Sequence, residues 1–410
     1  MLSKKQLEQF AELTVRVGAN MQKDQIVVVR CDVACQDFAH LIVEKAYQFG
    51  AKKVIMQWSD EIVSRMGMIN QSLETLCDVP QYLVDQSQYF IDNKVCLISI
   101  KAGNPNIYQG CDPVKLKESA IASRKANAKF SKATMSNLLR WTLVSIPTEG
   151  WAKQVFPNLP VEEAMDKMWD AIGHIMRLDQ EDPTEAWFKH IDVLTRRAEF
   201  LTNHNFETIH MYNAQGTNLH VGLAIDHLWL AAREMGQDGI PFTANMPTEE
   251  IFTAPHNKEI NGTVVSALPL ANNGNIIDNF SITFKDGRVV DYSAEVGYDA
   301  LKGLLTSDEG VLSLGEIALI GKHSPIAESG ILFFNTLFDE NASCHLAFGQ
   351  SYPTTVKNGN AMTEEQLAEH GMNSSIQHVD FMVGTKDINI DGIAFDGKVV
   401  PLFRDGEWVI

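Results

Sequence analysis

No run of apolar residues in this chain approaches the roughly 18 that a membrane-crossing helix needs, so no membrane span is expected. The opening segment, MLSKKQLEQFAELTVRVGANM, also lacks the apolar core and small-residue cleavage site of an export signal. It reads instead as an amphipathic helix with Leu7, Phe10, Leu13 and Val17 on one side. Positive charge is scarce: 34 Lys and Arg stand against 52 Asp and Glu, a formal net charge of −18. Such a balance disfavours nucleic acid and anionic membranes as partners and suits divalent cations. Cysteine is sparse, with six residues (Cys31, Cys35, Cys77, Cys96, Cys111 and Cys344) and no C-x-x-C pair. That scatter excludes a disulfide framework and fits reduced thiols in a cytoplasmic protein.

Phosphate-binding signatures are missing as well. No G-x-G-x-x-G follows the first predicted strand, and GEIALIGKH has one residue too many before its Gly-Lys and no Ser or Thr after it. There is no H-E-x-x-H, no G-x-S-x-G and no kinase set.

What is present has two textures. A chain of 410 residues is long for one ordinary domain. Up to about residue 185, short apolar strands alternate with helical patterns: QIVVVRC, KKVIMQWSD, KVCLISI and RWTLVSIPT, separated by segments such as DFAHLIVEKAYQFGA and DPVKLKESAIASRKANAKF. Strands that are apolar throughout and separated by helices predict a parallel sheet covered on both faces, a Rossmann-like α/β domain over residues 1–185. After the charged stretch RLDQEDPTEAW the pattern changes. Short strands with Asn, Asp and Gly turns follow, including the Asp-Gly hairpin signal FKDGRVVDY and a second hairpin-like pattern at the C-terminus. Residues 186–410 thus read as an α+β domain with antiparallel sheet.

The chemistry-bearing residues lie in this second half. His378 and Asp380 in SSIQHVDFMVG stand two apart in an apolar strand pattern, so they share a face. NMPTEEIFTAPH places Glu249 and Glu250 against Ile251 and Phe252, LSLGEIALIG sets Glu316 in an apolar run, and FDENASCHLAFGQSYP holds Glu340, His345 and Tyr352. Each has an ordinary structural alternative. Glu249 or Glu250 could be first-turn acids of a helix after Thr248, Glu316 could pair with Lys322, and His345 could be a satisfied core histidine. Glu340 could be a solvated loop acid, Tyr352 a packing residue, His378 and Asp380 a structural pair, and Cys344 a small core residue rather than a soft ligand. Together they form a mixed imidazole and carboxylate set suited to Zn²⁺, Mn²⁺ or Co²⁺. They exceed the ligand number of a single closed zinc site, which points to two ions with a bridging water, a common device for hydrolysis.

At MPTEEIFTAPH, GEIALI, NASCHLAFGQSYP and HVDFMVG, in that order, the chain resembles the thermophilic metalloproteases, the family of aminopeptidases T, S and PepS. The resemblance runs across essentially the whole chain. It implies an α/β N-terminal domain, a C-terminal catalytic metal-binding domain, two divalent ions per chain, and release of N-terminal residues from short peptides. It also implies a homodimer with an enclosed cavity. Carried over, the metal ligands fall on Glu250, Glu316, His345, His378 and Asp380, with Glu316 bridging. Glu340 becomes a ligand or general base, Tyr352 a donor to the oxyanion, and Glu249 a non-ligating neighbour. The alternatives are another dinuclear hydrolase, such as an amidase or esterase, and a non-catalytic protein that binds a metal and a small ligand.

Overall fold

The structure is a computed structural model that describes residues 2–104, 106–272 and 275–410. The chain divides into two compact units, Met1–His190 with Arg233–Pro247, and Ile191–Ala232 with Thr248–Ile410.

The first unit is built on four parallel strands, β1 (Ile26–Asp32), β2 (Lys53–Ser59), β3 (Cys96–Lys101) and β4 (Trp141–Ser145), in the order β2-β1-β3-β4. This is a doubly wound arrangement with helices in the crossovers. Val27, Val28 and Val29 are all fully buried, as expected of a strand covered on both faces. One side of the core gathers Val28, Phe90, Val95, Leu97, Phe130 and Leu139. The first helix, Lys4–Leu13, starts at Ser3, whose side chain accepts from the Gln6 N–H while Gln6 reaches back, a capping box. Phe10, Leu13 and Val17 bury the apolar stripe that the sequence showed. Asp112 caps the helix Pro113–Ala126, with Pro113 at its first position, where a missing N–H costs nothing.

The second unit begins its sheet with β5 (Thr208–Tyr212) and β6 (Asn218–Leu223). The chain then adds a short ribbon, β7 (Glu234–Met235) and β8 (Pro241–Phe242), which belongs to the first unit. In the second unit follow β9 (Ile251–Thr253), β10 (Pro255–Val265), β11 (Leu270–Asn272), β12 (Asn275–Lys285), β13 (Arg288–Val296), β14 (Leu314–Leu319), β15 (His345–Gly349), β16 (His378–Met382), β17 (Asn389–Ile393), β18 (Val399–Arg404) and β19 (Glu407–Trp408). They form two antiparallel sheets. The larger runs β11-β12-β10-β6-β5-β17-β18-β19, with β13 also on β12. The smaller runs β16-β15-β14-β9. The two faces of the smaller sheet differ. Phe381 and Phe348 stack on one face at 4.4 Å between ring centroids, and Phe280 of the larger sheet packs on Phe381 at 5.7 Å. The polar residues of β14, β15 and β16 point from the other. Among the described residues no helix is long and apolar enough to cross a membrane, and the six cysteines are free thiols.

The predicted Asp-Gly hairpin is the β12–β13 turn. Asp286 and Gly287 both adopt positive φ, 48° and 79°, as a two-residue type I′ turn demands. A Cβ on Gly287 would fall 1.9 Å from the Asn257 carbonyl oxygen. Gly287→Ala should therefore destabilise the second unit by about 1–3 kcal/mol. Chemical denaturation reads this, and an unchanged midpoint would contradict the turn geometry.

Candidate metal centre

Strand alternation assembles the centre. In the antiparallel pairing of β14, β15 and β16, Glu316 lies opposite Ala347, and Ala347 opposite Asp380. One step along, Ala318 lies opposite His345, and His345 opposite Met382. Residues directly opposite in a ladder share a face. The polar residues thus come up on one side of the sheet, and the small side chains of Ala318 and Ala347 leave the space between them open. β9 extends this face, with Phe252 opposite Ala318 and Glu250 at the strand's N-terminal end. Glu250 therefore enters from a strand and not from a helix, so the first-turn alternative for Glu249 and Glu250 does not hold.

The distances are close. His345 Nε2 lies 3.4 Å from Glu250 Oε2 and 3.4 Å from Glu316 Oε1. His378 Nε2 lies 3.2 Å from Asp380 Oδ1 and 3.8 Å from Glu316 Oε2. Two groups result, Glu250–Glu316–His345 and Glu316–His378–Asp380, each with one donor atom per residue within 4.8 Å of the others. Glu316 belongs to both and presents a different oxygen to each histidine. Glu340 lies outside both groups. It sits in the short turn Glu340–Ala342, half-buried and in the field of Glu250, Asp380 and Glu316, rather than solvated. The Tyr352 ring packs against His378 at 4.8 Å. Cys344 Sγ donates to the Ile320 carbonyl at 3.3 Å and is a buried structural thiol.

The histidine tautomers follow from the backbone. His345 Nδ1 lies 3.1 Å from the Ser343 carbonyl oxygen, and His378 Nδ1 lies 2.7 Å from that of Gln350. A carbonyl only accepts, so each Nδ1 carries the proton, and each neutral ring keeps its lone pair at Nε2. That lone pair faces carboxylate oxygens. Asp380 Oδ1 is buried and without a hydrogen-bond partner, although His378 Nε2 is close to it. Lone pairs opposed at such distances need a cation, either a proton or a metal.

With protons alone the cluster is strongly perturbed. Burial by itself would lower both histidines. For His345 the facing Glu316, with Glu250 and Asp380, outweighs burial and raises the pKa to about 10. For His378 the adjoining Asp380 and then Glu316 raise it to about 9. Burial, offset only in part by His345, lifts Glu250 to about 7, and burial followed by Glu250 and Asp380 holds Glu340 well above the usual carboxylate range. Tyr352 is raised by burial and then by the carboxylates, so its phenol stays protonated and able to donate. Buried carboxylates are costly unless paired or bound to a cation, and this set of oxygens and imidazoles fits a divalent ion.

A supporting contact had no signal in the sequence. Asn341, fully buried, accepts from the Glu249 N–H at 2.7 Å through Oδ1 and donates from Nδ2 to the Leu337 carbonyl at 3.2 Å. It ties the segment of Glu250 to the turn of Glu340. Asn341→Ala should weaken divalent-metal affinity by about 10–100-fold. Calorimetric metal titration reads this, and an unchanged affinity would make the contact dispensable.

A model of thermophilic metalloproteases (M29) matches residues 3–408. The chain is 42% identical over 404 residues to Aminopeptidase 2 of Geobacillus stearothermophilus, covering 98% of each chain. It is also 42% identical over 408 residues to Aminopeptidase PepS of Streptococcus thermophilus, covering 99% of this chain and 98% of that one. Its structure is similar to that of wild-type AmpT from Thermus thermophilus, with a TM-score of 0.92 at 35% identity, covering 99% of this chain and 100% of the other. The chain belongs to the thermophilic metalloprotease family and is a hydrolase.

Proposed function

We propose that this hydrolase is a metal-dependent aminopeptidase that removes N-terminal residues from short peptides at a dinuclear centre. The observation that carries the reading is the sharing of Glu316 between two ligand groups. Charge supports two ions over one. Glu250, Glu316, Glu340 and Asp380 bring −4 when ionised and the neutral imidazoles add nothing, so two divalent ions balance the cluster where one leaves it at −2. Glu250, His345 and Glu316 would hold one ion, and Glu316, His378 and Asp380 the other, with Zn²⁺, Co²⁺ or Mn²⁺ as the fitting metals. Bound there, the ions would supply a Lewis acid for the scissile carbonyl and lower the pKa of a bridging water.

The chain's own groups divide the remaining work. Glu340 serves as general base, a role suited to a half-buried carboxyl with a raised pKa in the field of Glu250 and Asp380. It takes the proton as the water oxygen bonds to the carbonyl carbon, and returns it to the amine nitrogen as the C–N bond breaks. Tyr352, protonated and against His378, donates its O–H to the oxygen that gains negative charge. Ser343 and Gln350 keep the two imidazoles in orientation through their carbonyls. A homodimer in the cytoplasm completes the reading.

A panel of aminoacyl arylamides, free and N-acetylated, with Zn²⁺, Co²⁺ and Mn²⁺ tests the activity. Only the free-amine substrates should be cleaved, and equal turnover of blocked ones would exclude an aminopeptidase in favour of an amidase or esterase. Metal analysis after dialysis should find two ions per chain; one ion with undiminished activity would sink the dinuclear centre.

Variants separate the roles. Glu316→Gln should abolish metal-dependent turnover and leave the circular dichroism spectrum unchanged. Glu340→Gln should keep both ions and lower kcat by roughly 10²–10⁴-fold, whereas loss of an ion would make Glu340 a ligand. Tyr352→Phe should reduce kcat by about 10²–10³-fold with KM little altered.

A further inference from the structure

The face that carries the ligand residues is not polar throughout. Acids and imidazoles occupy its middle, and apolar side chains border it on two sides. Reading across the sheet through His345, the row runs Met382, His345, Ala318, Phe252. It continues to Leu230, because Leu230 and Phe252 exchange both main-chain hydrogen bonds at 2.9 Å, which sets their side chains together on one face. Phe252 and Leu230 are half-buried, unlike the closed core on the opposite side of the sheet.

We propose that Phe252 and Leu230, together with the Tyr352 ring, form the subsite that receives the side chain of the substrate's N-terminal residue, and that this subsite selects large apolar residues. The proposal rests on the aminopeptidase reading. Three observations carry it. Phe252 is two residues from Glu250 along extended chain, so it lies roughly 7 Å from that residue and on the same face. Its ring meets Tyr352 edge-on at 6.4 Å and 72°, and Tyr352 in turn touches His378 at 4.8 Å. A scissile carbonyl held at Tyr352 therefore leaves the adjoining side chain against Phe252.

The wall is also fixed. The Leu228 N–H donates to the Thr355 carbonyl at 2.7 Å, Thr253 Oγ1 donates to the Leu228 carbonyl at 2.9 Å, and Thr355 Oγ1 donates to the Tyr352 carbonyl at 2.7 Å. The segment that carries Leu230 is thus braced between β9 and the turn after Tyr352. A rigid apolar wall rewards a leucyl or phenylalanyl side chain, and Phe252 and Leu230 offer no counter-charge to a lysyl or arginyl one.

Steady-state kinetics on alanyl, leucyl, phenylalanyl and lysyl arylamides, and on dipeptides varied only at the second position, tests this in the metal-loaded full-length enzyme. The wild type should favour leucyl over alanyl substrates by roughly 10–200-fold in kcat/KM. Phe252→Ala and, separately, Leu230→Ala should compress that ratio while leaving second-position selectivity in place. Leu230→Asp should shift preference toward lysyl substrates and guards against a Phe252 variant that fails to fold. An unchanged leucyl-to-alanyl ratio in the folded variants, or a change that follows the second residue, would overturn the subsite. Absence of cleavage of any free-amine substrate by the wild type would instead overturn the aminopeptidase reading itself.

Discussion

Mutual repulsion among buried carboxylates is the constraint on which the second unit depends. Glu250, Glu316, Asp380 and Glu340 crowd one face of a four-stranded sheet with only two imidazoles among them. Protons relieve that crowding in part, as the raised positions of Glu250, Glu340, His345 and His378 express. Divalent cations would relieve it more fully, because each brings two positive charges and accepts lone pairs from several of these atoms at once. A solvent-filled cleft would have spread these acids apart at less cost. Their retention beside Ala318 and Ala347 is intelligible as the geometry of a cation site.

The surrounding structure holds this arrangement against its own repulsion. The acids and imidazoles of β14, β15 and β16 are fixed by ladder register, a strong constraint because slippage by one residue would turn them into the aromatic core formed by Phe348, Phe381 and Phe280. Glu250 immediately precedes a strand of three residues that could not stand alone. It is held by β14 on one side, by Leu230 on the other, and by Asn341 at its base. The two histidines are oriented by carbonyls of Ser343 and Gln350, that is, by chain path and not by residue type. The parallel unit contributes a well-packed doubly wound sheet and carries no phosphate-cradling motif, consistent with a chain whose chemistry lies elsewhere.

Much of this was legible in advance, for identifiable reasons. Period-two spacing put His378 and Asp380 on one face, and a carboxylate inside the apolar run GEIALI marked Glu316 as costly to bury without a partner, whether a base such as Lys322 or a metal. Asp286-Gly287 marked a hairpin because few other pairs tolerate two successive positive φ values. Glu250 and Glu340 were harder. Thr-Glu-Glu reads locally as a helix start, and Asp-Glu in FDENAS reads as a solvated loop; long-range pairing of β9 with β14 and the packing of the turn Glu340–Ala342 beside the other acids override both.

By itself, then, the sequence determined the alternation of apolar strands and helices, the change to antiparallel texture, and the residue types able to bind a cation, because periodicity and composition are local properties. The family resemblance rested on the same local stretches. Only the tertiary structure decided that Glu316 turns one oxygen to each histidine, that Asn341 ties the segment of Glu250 to the turn of Glu340, and that Phe252 and Leu230 border the acids. Each of these joins residues distant in sequence, as far apart as Glu249 and Asn341, and no local spacing encodes which strands will lie side by side.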